Sequence, residues 1–179
     1  LAIAMLMNFL MILAYTLNIS AQQELVKSIG CSISFVFMDF MLFCYYNYVL
    51  AYIGWQNRAA KVLKYVFLAY AIVDTIFMVS NPFTGFTLVY FTESFAEGYV
   101  LTYMPLIPFH AHIVFNYSMI VATIILLLRK CREAPKVYLN RYYGPMFSML
   151  LCMAIYYVYL AGYIPVAVDP TLLLYVLVG

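Results

Sequence analysis

Eight of the nine basic residues of this 179-residue chain fall in or beside two short connections between long apolar runs. Arg58 and Lys61 lie in the first with Lys64 just past it, and Arg129, Lys130, Arg132, Lys136 and Arg141 lie in the second. Lys and Arg accumulate in short cytoplasmic loops beside membrane spans, so this clustering constrains the chain to cross a bilayer several times in one orientation. Connections 54–61 and 129–142 are expected in the cytoplasm. Those at 18–28, 81–105 and 164–170 are expected outside, where Glu24, Glu93, Glu97 and Asp169 stand against the single base Lys27.

Composition agrees with lipid as the solvent. Hydrophobic residues make up 68% of the chain and charged residues 9%, whereas a soluble domain carries about a quarter charged residues. No stretch is polar enough for a soluble catalytic or nucleic-acid-binding domain, so no nucleic-acid partner is expected. Cys31, Cys44, Cys131 and Cys152 lack metal-ligand spacing and are expected as free thiols. The apolar start at Leu1 has no basic n-region or cleavage site, so it is not read as a signal peptide. The final apolar run, 171–179, is shorter than the roughly 20 residues a helix needs to span. The chain is therefore expected to begin and end inside the membrane part of a larger protein.

The runs predict an all-α, polytopic transmembrane helix bundle forming one domain over 1–179. Spans are expected at about 1–17, 29–53, 62–80, 106–128 and 143–163, with a truncated sixth from 171 onward. Helices follow because lipid leaves every backbone polar group to be satisfied internally, and the runs are too long for barrel strands. Trp55, the only Trp, is placed at headgroup level, and Tyr pairs such as Tyr45-Tyr46 and Tyr142-Tyr143 read as interface anchors. Asn81-Pro82 is expected to stop the third span, and Pro135 to prevent a continuous helix through the second basic connection. Between 86 and 103, two aromatic and β-branched runs flank a turn-like 93–98, which predicts an extracellular β-hairpin over the bundle's mouth; an irregular loop or an interfacial helix is the alternative. Neither an internal repeat nor Gly-xxx-Gly spacing is present.

Two acids lie inside spans, and an ionisable group at that depth is costly enough to suggest function. Asp39 is placed about ten residues, or about 15 Å, from the outer end of its helix, and Asp74 about two turns from the end of its own. Helical spacing puts them on polar stripes: Ser32, Asp39 and Tyr46 on one span, Tyr70, Asp74 and Asn81 on the next. A third stripe joins His112, Asn116 and Thr123, with His110 at its rim. The stripes suggest a polar interior open to the outside, with Asp39, Asp74, Asn81, His110, His112, Asn116 and Tyr70 as candidate ligand-binding residues. Satisfied interhelical hydrogen bonds are the alternative. His110 and His112 point about 200° apart on a helix, so they are not expected to share a metal. No nucleophile triad, HExxH motif or phosphate-cradling loop is present, so no catalytic residue, metal or cofactor is expected.

Several short motifs resemble the seven-helix sensor region at the N-terminus of some bacterial histidine kinases and diguanylate cyclases. They are Ala14-Tyr-Thr-Leu-Asn18 with Glu24 and Ile29-Gly30, then Phe43 and Tyr48, then Val79-Ser-Asn-Pro82 before the hairpin. Met104-Pro-Leu-Ile-Pro-Phe-His110 and Val168-Asp-Pro170 open the following helices. The resemblance implies a fragment covering helices two to seven, set in the bacterial inner membrane, with no enzymatic step of its own and an output kinase or cyclase domain beyond the end. It further implies a receptor for an unknown small molecule, lipid or peptide, acting as a homodimer. The competing readings are a small transporter or channel with Asp39 and Asp74 as coupling groups, and a structural subunit of a membrane complex.

Overall fold

The computed structural model describes residues 1–54, 57–95 and 98–160, with the backbone alone at 92–95, 98–101, 159 and 160. Trp55, the outer turn 164–170 and the span from 171 lie outside the described residues. Five long helices follow one another: α1 (Ala2–Ser20), α2 (Glu24–Ile53), α3 (Arg58–Thr84), α4 (Ile107–Glu133) and α5 (Leu139–Leu160). Between α3 and α4 run two antiparallel strands, β1 (Leu88–Phe95) and β2 (Gly98–Pro105), with Leu88 opposite Pro105 and Tyr90 opposite Tyr103. Helices α1 to α4 are each long and apolar enough to cross a membrane.

The bundle is organised around α2, which packs against α1, α3 and α4, while α5 leans on α4. Polarity is inverted relative to a water-soluble domain. Ser32, Asp39, Asp74, Asn81, His112, Asn116 and Thr123 are buried, while Phe9, Leu13, Tyr65, Ile76, Phe83, Val114 and Phe147 are exposed. Lipid makes that distribution favourable, because outward apolar side chains lose nothing in hydrocarbon and inward polar ones find partners. Isolated hydroxyls are satisfied within their own helix, as Thr75 donating to the Ala71 carbonyl and Thr123 to that of Met119.

Four sequence expectations need correction. Helix α3 does not stop at Asn81-Pro82 but continues to Thr84, ending at Gly85 in the left-handed conformation, φ 61°. Pro82 sits in the last turn, where it forfeits one backbone bond but leaves only two further helical residues for a kink to disturb, and glycine supplies the terminator. Helix α2 begins at Glu24, which reduces the connection after α1 to 21–23 and makes Lys27 part of the first turn of α2. The Lys27 ammonium donates to the carbonyls of Asn18 and Ile19, both at 3.1 Å, and so caps the C-terminal end of α1. Helix α5 starts at Leu139 and carries Arg141 and Pro145 within it. Tyr46 is no interface anchor: it is 1% exposed, and its hydroxyl donates to the Ala60 carbonyl. Pro135 does separate α4 from α5, as expected.

Gly30 explains the close packing of α1 on α2. A Cβ there would lie 2.8 Å from the Ala14 carbonyl oxygen and 2.8 Å from the Asn18 nitrogen, both backbone atoms. Ala14 and Asn18 bracket one of the motifs singled out in the sequence, and Gly30 belongs to its partner. Gly30→Val should therefore destabilise the bundle by about 1–3 kcal/mol through overpacking. Gly144→Ala, with nothing within 4 Å of the added carbon, should be neutral or stabilising by up to about 1 kcal/mol. Thermal unfolding in detergent checks both, and equal effects would refute the assignment.

Candidate functional site: a buried carboxylate–imidazole cluster

Asp39 lies midway along α2, about 22 Å from its start at Glu24 at 1.5 Å per residue, further from the helix end than the sequence reading placed it because α2 begins earlier. Asp74 lies about 15 Å from the end of α3, and His112 about 8 Å from the start of α4. Because α2 and α4 run one way and α3 the other, the three positions reach one level. There His112 Nδ1 donates to Asp74 Oδ2 at 2.7 Å and lies 3.5 Å from Asp39 Oδ1. Asn116, one turn further along α4, donates from Nδ2 to His112 Nε2 at 3.0 Å. The Tyr70 hydroxyl donates to Asp74 Oδ1 at 3.5 Å from one turn earlier on α3.

The cluster is closed rather than open to the outside. Asp39 and His112 are 0% exposed and Asp74 is 4% exposed. Phe109 stacks on the imidazole, with centroids 5.4 Å apart, and Phe35 meets it edge-on at 5.5 Å. Tyr103 of β2 packs on both rings, 5.7 Å from Phe109 and 6.1 Å from Phe35. The strands thus seal the cluster through an aromatic cap.

Of the seven candidates, the structure unites five: Asp39, Asp74, His112, Asn116 and Tyr70. Asn81 serves the strands instead. Its Oδ1 accepts from the Thr87 and Leu88 backbone nitrogens at 2.7 and 2.9 Å, and its Nδ2 donates to the Leu88 carbonyl at 3.0 Å. His110 is exposed at the start of α4, away from the cluster. Sequence reasoning missed Tyr90, whose hydroxyl lies 2.7 Å from Ser32 Oγ and ties β1 to α2. Burial pushes the Tyr90 phenol above its ordinary value, which keeps it a neutral hydrogen-bonding group. Beside Tyr90 opens a cavity of about 260 Å³, also lined by Glu24, Leu25, Ser28 and Pro82.

The inverted polarity, the apolar spanning helices and the buried ionisable cluster define a polytopic helical membrane protein. Within that class, residues 1–179 match the N-terminal 7TM region of histidine kinase, and the chain belongs to that family. Comparison with curated proteins and with solved structures gave no match.

The Asp74–His112 pair is buried and charge-assisted, so truncating one partner strands the other. Asp74→Ala should destabilise by about 3 kcal/mol. The conservative Asp74→Asn keeps a hydrogen-bond acceptor and should cost less. In a double-mutant cycle with His112→Phe the two losses should fall short of additivity by at least about 0.6 kcal/mol, the mean for interhelical hydrogen bonds in membranes. Additive losses would show that the contact contributes no coupling.

Proposed function

We propose that this chain is the signal-sensing region of a membrane histidine kinase, with one seven-helix-type domain over 1–179 and no catalytic step of its own. The stimulus is read from the extracytoplasmic side, where the strands, the cavity beside Tyr90 and the aromatic cap stand over the buried cluster. The observation that carries the reading is the cluster itself. Three helices meet through groups whose burial is costly unless they are partnered, so any stimulus that favours one arrangement of those partners shifts how α2, α3 and α4 pack.

The orientation follows from the basic residues around Arg58–Lys64 and Arg129–Arg141, which put the strand end outside and the output domain, a kinase or a related cyclase, inside. A homodimer follows from the way such outputs work in pairs. Transport is the weaker alternative. Below the cluster, Val49, Ile53, Phe67, Met119, Ile124 and Leu127 pack as an apolar plug, and Asn47 turns its amide back to the Phe43 carbonyl. A polar route to the cytoplasm is not visible among the described residues.

Two experiments test the proposal. In membranes carrying the parent kinase, Asp74→Asn and His112→Gln should each change autophosphorylation by about 5-fold or more, within the usual range of allosteric coupling. Unchanged output from folded variants, or substrate flux through the bundle in proteoliposomes, would refute the sensor reading. A membrane-impermeant maleimide should label Cys131 only once the cytoplasmic face is opened; labelling of intact cells would reverse the orientation.

A further inference from the structure

We propose that Asp39, Asp74 and His112 bind one divalent transition-metal ion, of the zinc or manganese kind, between α2, α3 and α4. This deepens the sensor reading by giving the cluster a ligand class. One ligand atom from each residue lies within 4.8 Å of the other two. Ligands on a single ion at about 2.0–2.2 Å stand about 3–3.5 Å apart, so small rotamer shifts suffice to close the set.

The second observation is what the cluster leaves unsatisfied. Neither carboxylate oxygen of the fully buried Asp39 accepts a hydrogen bond of good geometry, the His112 Nδ1 contact at 3.5 Å being long and its proton held by Asp74, and Asn116 Oδ1 accepts none. An orphaned acceptor at membrane depth is costly, and an orphaned carboxylate is more so. A cation between Asp39 and Asp74 would give the first its missing partner. The second is satisfied by the same event. With the ion on Nδ1, the neutral imidazole carries its proton on Nε2, and a flip of the Asn116 amide turns Oδ1 to accept it. That is the outer-shell arrangement that holds a metal-ligating histidine in one tautomer.

Charge selects the valence. Two carboxylates and a neutral imidazole balance a doubly charged ion, so the loaded site is neutral in the bilayer, whereas a monovalent ion leaves a net negative charge. Ligand type selects the element. One nitrogen and a few oxygens in a dry, aromatic-capped pocket suit zinc or manganese; calcium needs six to eight oxygens, and magnesium keeps several waters.

The test uses the purified parent protein in detergent, stripped with chelator, exposed to Zn²⁺ or Mn²⁺, and assayed for bound metal by mass spectrometry. One equivalent per chain is expected, retained in Cys131→Ser and lost in Asp39→Asn and His112→Gln. Asn116→Leu should weaken binding by about 10–100-fold. Loading with Co²⁺ should give visible d–d bands without thiolate charge transfer. No stoichiometric binding by folded wild-type protein, undiminished binding in Asp39→Asn, or a thiolate band would each overturn the proposal. Should the variants fail to fold, X-ray absorption of the zinc-loaded wild type decides, with one imidazole among oxygen ligands supporting the site and sulfur overturning it. Stoichiometric metal that leaves autophosphorylation unchanged would uphold the site and remove the sensor reading. Altered output in Asp74→Asn from a protein that binds no metal would do the reverse.

Discussion

The 2.7 Å contact between His112 Nδ1 and Asp74 Oδ2 is the interaction on which the outer half of the bundle depends. In hydrocarbon neither group can turn to water, so the positions of α3 and α4 are fixed by the need to keep these two atoms together. Other features answer to that need. Phe35 and Phe109 close around the imidazole, Tyr103 closes over both, and Asn116 and Tyr70 approach from one turn away on either helix. Asp39 is drawn to the same place through a longer contact, 3.5 Å from His112 Nδ1, so the cluster is held tightly at one edge and loosely at the other.

Much of this was legible in the chain because membrane helices are constrained by period and polarity together. A polar residue in a span must point inward, so Asp39, Asp74, His112 and Asn116 identified the interior faces of their helices without any coordinates. Which of them touch, and that they close off from the outside, was not legible, because it depends on the rotation and depth of one helix relative to another, which packing sets. The same limit hid Gly30, whose missing side chain has meaning only against the backbone of Ala14 and Asn18.

Where the sequence misled, local rules were overridden by position. Pro82 would break a helix in mid-course, yet three residues from Gly85 it sits where few backbone bonds remain to lose. Lys27 reads as a solvated loop base, but the shortness of the α1–α2 turn brings its ammonium onto the carbonyls of Asn18 and Ile19. Tyr46 carries the chemistry of an interface anchor and is instead enclosed by Phe67 and the Ala60 carbonyl. In each case the residue's chemistry was read correctly and its neighbours were not.

The side chain of Asn81 has a mechanical consequence. By offering one acceptor to two backbone nitrogens and one donor to the Leu88 carbonyl, it imitates a strand edge and hangs β1 from the top of α3. At the other end, β2 runs straight into α4, with the Leu106 nitrogen donating to the Thr87 carbonyl. The strand pair is therefore a clasp riveted to two helices, with Tyr90 against α2 as its fulcrum. A sideways push on it would be felt as opposed tugs on Asp74 and His112, the two residues that face each other below.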